Sequence, residues 1–389
     1  MNRLILLLSF FIVISSCGHG QTEKKAPITP GAYQTGDYLS LIKDKKVALV
    51  VNQTSMVGTS HLVDTLLSLR VNLKKVFAPE HGFRGDADAG ETVKSGVDVK
   101  TNLPIVSLYG DNKKPTASQL VDVDVIIFDI QDVGTRFYTY ISTMHYMMEA
   151  CAENNKLMII LDRPNPNGMY VDGPVLKPAY QSFVGMHPIP VLHGLTVGEL
   201  AKMINGEGWL KNKIQCDITV IPVKNYSHKN HYSLPVKPSP NLPNDLSIKM
   251  YPSLCLFEGT VISVGRGTYK PFQQIGHPDF KDMPHSFTPK SIEGMAKNPR
   301  YEGQQCHGID FSQVDFNGGF SLTYLIDFYQ KYEGKDFFTN YFNKLAGTGE
   351  LKEQIQQGLS EPEIRQSWAG ELGAYKKTRK KYLLYEDFE

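Results

Sequence analysis

The chain has 389 residues, with 41 Lys and Arg against 40 Asp and Glu, 41% hydrophobic residues, 33 Gly and 23 Pro. That size and apolar share suit one large or two ordinary globular domains and exclude a disordered chain. A formal net charge of +1, with basic residues scattered along the chain, excludes the electrostatic footprint of a nucleic-acid binder.

At the amino terminus, Arg3 precedes the apolar run 4–14. The run is shorter than the roughly 18–20 residues of a membrane span and has the dimensions of a secretory h-region. It ends in Ile14-Ser15-Ser16-Cys17-Gly18, which resembles a bacterial lipobox, where cleavage before the cysteine leaves Cys17 as the lipidated terminus. Residues 1–17 are expected to be a lipoprotein signal peptide and 18–32 a flexible tether, poor in apolar side chains. The expected location is the cell envelope, lipid-anchored, at the periplasmic face or the outer membrane. Cys151, Cys216, Cys255 and Cys306 form no CxxC pair and no zinc-ligand spacing with histidines. Cys151 and Cys255 lie in apolar stretches that suit buried free thiols, and neither a metal nor a cofactor is expected.

From 46 to 162, short apolar runs alternate with helical patterns. Strands are expected at 47–51, 75–78, 123–128 and 157–161, and helices at 62–69 and 140–153. Strands apolar on both faces and joined by helices imply an α/β fold: a Rossmann-like doubly wound parallel sheet. The first strand runs into Asn52-Gln53-Thr54-Ser55 and not into G-x-G-x-x-G, so a dinucleotide is not the expected ligand. Beyond 200 the pattern is mixed, with a strand at 217–222, a Pro-rich loop at 235–252 and helices at 320–332 and 351–358. The expected division is 33–205 for the Rossmann-like domain and 206–389 for a second, smaller α/β domain.

Ligands of open parallel sheets bind beyond the carboxyl ends of the strands, so polar residues that follow apolar runs are the candidates. Asn52, the 79–85 turn, the 129–138 segment and the 162–168 segment should converge on one rim. Glu80 leads, because Pro79 and Gly82 shape a turn that aims it at the rim, where partial burial suits a general acid. The alternative is a carboxylate that braces a βα turn. His81 would orient Glu80 or hold a proton. Of Asp129 and Asp132, one faces the pocket and the other braces the loop. Arg84 and Arg136 are the candidates to grip a substrate carboxylate, and Tyr138 and Tyr140 to stack on or hydrogen-bond a sugar. Asp162 and Arg163 form a structural ion pair or touch substrate, with Asn165 beside them.

In the second half, Ser239 and Asn241 project from a rigid Pro-rich loop, and Glu258 is the second carboxylate candidate. The 265–268 turn that carries Arg266 is too short, and lacks the lysine, for a phosphate-binding loop. His228 and His231 read as a solvated loop and not as a metal site. No G-x-S-x-G is present to support a serine nucleophile.

At these residues the chain resembles the NamZ-type exo-β-N-acetylmuramidase family. The resemblance runs through 47–51, 79–85, 129–140, 162–168, 191–200, 238–243 and 258–272 to Lys381-Tyr382-Leu383-Leu384-Tyr385, and its most specific stretch is FDIQDVGTRFYTYISTM at 128–144. It implies an active site on the Rossmann-like domain, a smaller carboxy-terminal domain closing over it, and the catalytic glutamate at Glu80. It further implies release of N-acetylmuramic acid from the non-reducing end of peptidoglycan fragments. The chain departs from the family pattern at Met169, where a second glycine is common, and at Val261-Ile262 after the EGT element. The lactyl carboxylate of muramic acid would be bound by Arg84, Arg136, Arg163 or Arg266. The expected partners are peptidoglycan-derived muramic acid saccharides and, through the anchor, a membrane. A muropeptide-binding lipoprotein without hydrolytic activity is the competing expectation.

Overall fold

The computed structural model describes residues 26–80, 82–84 and 95–389. The signal peptide, Cys17, most of the tether and His81 lie outside the described residues. No helix among the described residues is long and apolar enough to cross a membrane.

A short helix α1 (Thr35–Tyr38) precedes strand β1 (Val47–Val51), the hairpin β2 (Met56–Val57) and β3 (Ser60–His61), helix α2 (Leu62–Ser68) and strand β4 (Leu73–Ala78). Strands β5 (Gly96–Val97) and β6 (Pro104–Ser107), helix α3 (Ala117–Leu120), strand β7 (Val125–Asp129), helix α4 (Tyr140–Glu153) and strand β8 (Leu157–Leu161) follow. Helix α5 (Val197–Gly206) then leads to strand β9 (Ile218–Ile221). Seven strands form one sheet in the order β5-β6-β4-β1-β7-β8-β9, parallel except for the β5 edge. The chain winds from β1 outward through β4 to β6, then returns to the other side of β1 and winds through β7, β8 and β9. The order therefore reverses between β1 and β7, the switch point at which such sheets open a crevice.

Alternation along the strands explains their apolar runs. Ala48, Val50, Ile126, Phe128, Met158 and Ile160 enter one core, while Val47, Leu49, Val51, Val125, Ile127, Ile159 and Leu161 enter a second core on the opposite face. Burial on both faces makes these strands apolar throughout, apart from Asp129 at the carboxyl end of β7. The expected boundary at 205 is corrected, since β9 adds to the same sheet as β8 and the first unit runs past it.

The second unit contains helix α6 (Asp245–Leu254), strands β10 (Gln274–His277), β11 (His285–Phe287) and β12 (Cys306–Asp310), and helices α7 (Thr323–Lys331), α8 (Phe342–Ala346), α9 (Glu350–Gln356) and α10 (Glu361–Arg379). The three strands form an antiparallel sheet in the order β10-β12-β11. Helix α6 replaces part of the expected Pro-rich loop. It starts at an Asn244–Ser247 capping box and carries Pro252 in its body. The Ile248 carbonyl that Pro252 cannot serve accepts instead from Asn167 Nδ2 at 3.4 Å.

The first core is continuous across both units, joining Phe128 and Met144 to Phe257, Phe328 and Trp368. The carboxy-terminal segment returns to the first unit, where Leu384 N donates to Glu199 and Tyr385 Oη to Asp162. All four cysteines among the described residues are free and buried, as the apolar stretches around Cys151 and Cys255 imply for those two.

Candidate active site

The turn after β4 and the start of α4 after β7 flank the carboxyl end of β1. Together they form one wall of a cavity at the switch point. This wall carries Glu80, Phe137, Tyr138, Thr139 and Tyr140. Tyr251 of α6, Cys255, Glu258, Arg266, and Tyr341 and Leu345 at α8 form the facing wall, while Val184 and Ser239 complete the lining. The cavity between the two walls has a volume of about 140 Å³.

Glu80 is half-buried, and each of its carboxylate oxygens accepts from a hydroxyl: Oε1 from Tyr109 at 3.1 Å and Oε2 from Thr139 at 3.2 Å. Tyr140 Oη donates to the Glu80 carbonyl at 3.4 Å, which fixes the turn itself. Opposite, Arg266 donates to Glu258 through Nε (2.5 Å) and Nη2 (3.2 Å) and lies over the Phe272 ring at 5.1 Å. Burial disfavours the charge on Arg266, but the Glu258 carboxylate outweighs it and raises the guanidinium pKa. Tyr341, 40% exposed at the mouth, has its phenol pKa raised first by burial and then by nearby groups that include both Glu258 and Glu80.

Edge-to-face rings join the two walls, with Tyr140 against Tyr138 at 5.0 Å, Tyr138 against Tyr251 at 6.1 Å and Tyr251 against Phe272 at 4.9 Å. Burial drives the phenol pKa values of Tyr138, Tyr140 and Tyr251 upward, so these rings present neutral hydroxyls at working pH. Acid–base chemistry among the described lining residues therefore falls to Glu80 and Glu258. No group of three or more His, Cys, Asp or Glu among the described residues is placed to hold a metal.

Of the residues singled out in the sequence, the structure brings Glu80, Glu258, Tyr138, Tyr140, Ser239 and Arg266 to this cavity. Others require correction. Arg136 is fully buried and donates to the carbonyls of Pro174, Ile189, Leu345 and Ala346, so no substrate carboxylate reaches it. Gly347, at φ 76°, leaves the space this guanidinium fills, for a Cβ there would lie 2.7 Å from Arg136 Nη2. Arg84 turns to Asp98 with two hydrogen bonds, at 3.0 and 2.8 Å. Arg163 pairs with Asp129 and not with Asp162, through contacts of 2.6 and 2.8 Å inside the protein.

Asp162 is fully buried among the Thr196 and Tyr385 hydroxyls and the Gly198 N–H. Asp132 accepts from Gly134 N, and His193 Nε2 lies 3.5 Å away. Asn52 folds its Oδ1 back onto Thr54, Asn165 reaches the Leu195 carbonyl, and Asn241 reaches the Met295 carbonyl. These residues shape the rim from within and do not line the cavity. His228, expected in solvent, is buried 3.0 Å from Glu199. Tyr109 and Thr139, which hold Glu80, were not apparent from the sequence. Only the β4–β6 register, with Ala78 beside Ser107, brings Tyr109 to Glu80.

A doubly wound sheet whose switch-point cavity holds two carboxylates and a ring of phenols defines a hydrolase-like α/β protein with a small-ligand pocket. The chain belongs to the exo-β-N-acetylmuramidase NamZ family: residues 47–246 match its amino-terminal domain and 249–385 its carboxy-terminal domain. It is 42% identical over 390 residues to the peptidoglycan β-N-acetylmuramidase NamZ of Bacillus subtilis strain 168, covering 94% of this chain and 93% of that protein. Two crystal structures of DUF1343-family proteins from Bacteroides fragilis NCTC 9343 are also similar. One has a TM-score of 0.87 and 47% identity, covering 93% of this chain and 100% of the other. The second has a TM-score of 0.78 and 31% identity, covering 92% and 99%.

Proposed function

We propose that the protein is an exo-acting β-N-acetylmuramidase that releases N-acetylmuramic acid from the non-reducing end of peptidoglycan fragments. The observation that carries this reading is Glu80, half-buried in an aromatic cavity and facing a wall that bears Glu258 and Arg266. The name of the B. subtilis relative supports the substrate class.

In this reading Glu80, protonated, gives its proton to the glycosidic oxygen. The C1–O bond breaks with its electron pair passing to that oxygen, and water adds at C1 with loss of a proton. Tyr138 and Tyr140 offer apolar faces to the sugar ring, and Arg266 is the charge for the lactyl carboxylate. Nη1 of Arg266 makes no hydrogen bond to the described residues, which leaves one edge of the guanidinium for that group.

The chain is further proposed to be a lipoprotein of the cell envelope anchored through Cys17, on the strength of the apolar run and the Ser15-Ser16-Cys17-Gly18 sequence. The deciding experiment is mass spectrometry of products from defined MurNAc–GlcNAc disaccharides and longer chains. Free N-acetylmuramic acid, released one unit at a time and lost in Glu80→Gln, is the expected result. Tight binding without turnover by the native protein would make it a binding module instead.

A further inference from the structure

We infer that Tyr109 is a positioning residue that, together with Thr139, holds the Glu80 carboxyl and stabilises the charge it acquires as it gives up its proton. The inference rests on the proposed role of Glu80 as the proton donor.

The geometry begins with strand pairing. Strands β4 and β6 run parallel with Ala78 beside Ser107, and Leu108 N donates to the Ala78 carbonyl at 2.8 Å. The turns that leave the two strands therefore run side by side, and Tyr109 reaches across to Glu80 Oε1. The second turn is itself fixed, since Tyr109 N donates to Ser107 Oγ at 3.2 Å and Asn112 Nδ2 to the Ser107 carbonyl at 2.7 Å. Thr139 approaches Oε2 from the start of α4, at the other end of the carboxylate. Each oxygen thus has its own hydroxyl, supplied by a different element of the sheet rim.

A hydroxyl that donates to a carboxyl group gains strength as that group becomes an anion. The two contacts are weakest while Glu80 is protonated and strongest once its proton has passed to the glycosidic oxygen. Their difference acts on the transition state more than on substrate binding. Burial and the adjoining Glu80 raise the pKa of the Tyr109 phenol, which keeps it a donor throughout the working range.

The test is a set of full-length variants assayed on a defined disaccharide over a range of pH. Tyr109→Phe should lower kcat on the order of 10-fold while KM changes by less than about 2-fold, as for loss of one donor to a developing charge. The limb of the rate profile that reports Glu80 should also move upward by about one pH unit, because the anion has lost a donor. Movement of the alkaline limb is expected if Glu80 is the acid. Thr139→Val should act in the same direction, with circular dichroism and melting temperature unchanged in both.

An unmoved profile in Tyr109→Phe, with Glu80→Gln inactive, overturns the positioning role and leaves the reading of Glu80 intact. A rise in KM alone overturns it as well. Full turnover by Glu80→Gln overturns the underlying reading and the positioning role with it.

Discussion

Arg266 holds Glu258 through two of its nitrogens, Nε at 2.5 Å and Nη2 at 3.2 Å, on the wall of the cavity that faces Glu80. The pair is compact because Phe272 supports the guanidinium from one side. Arg266 is 28% and Glu258 24% exposed, so both are partly desolvated and the removal of either leaves a charge without its partner.

This pairing makes ligand selectivity testable. If Arg266 receives the lactyl carboxylate, the double variant Arg266→Met/Glu258→Gln should bind N-acetylmuramic acid about 10- to 100-fold more weakly, the usual size of a charged hydrogen bond. Binding of N-acetylglucosamine, which lacks the lactyl group, should change little. Calorimetric titration of both sugars is the measurement, and equal losses for the two would remove Arg266 from carboxylate recognition.

Arg136 should behave as a structural residue. Its guanidinium joins carbonyls from the 174–189 region to those of α8, which carries part of the cavity wall. Arg136→Met strands buried acceptors and should destabilise the protein by about 3–5 kcal/mol in urea unfolding. Below its own unfolding transition the variant should keep a wild-type KM. A large rise in KM without loss of stability would contradict this assignment.

Stability should also vary with pH in two opposite ways. Burial, aided by Glu199, pushes the Asp162 carboxyl up to about 6 against its hydrogen-bond donors. Between roughly pH 4 and 6 the folded protein holds a proton that the unfolded chain has lost, so this group's contribution falls as pH rises through that window. The change is at most about 3 kcal/mol, and Asp162→Asn should flatten it in urea midpoints compared at pH 4 and pH 7. Asp98 works the other way. The hydrogen bonds from Arg84 hold it down to about 2, so its contribution is complete above the unfolded value and is lost as pH falls toward 2.

The proposed anchor predicts that Cys17→Ser leaves the protein in the aqueous phase after detergent partitioning, while the native protein follows the detergent. Recovery of both in the aqueous phase would remove the lipid anchor.

Much of the architecture was legible because burial writes itself into sequence. Strands β1, β7 and β8 lie between two cores and read as unbroken apolar runs, and α4 appears at the expected 140–153. Helix α6 was hidden by Pro252, whose disruptive effect is answered by Asn167, a residue 85 positions earlier in the chain. Helix α10 escaped because few of its 19 residues are apolar. Its Ser360–Glu363 capping box, with a proline in the first turn, was the available signal.

For the site, the strand-end rule located Glu80 and the 129–138 segment but gave no direction to side chains. Arg136 follows the same strand as Tyr138, yet one points into the interior and the other lines the cavity. Residue type was equally silent for Asp129 and Arg163, which find each other across 34 positions.

One apolar core runs beneath both walls of the cavity, and the carboxy-terminal segment is fastened back to the first sheet. The two halves consequently have no seam along which to part. Truncation near 246 would uncover a broad greasy surface in place of yielding a self-sufficient module.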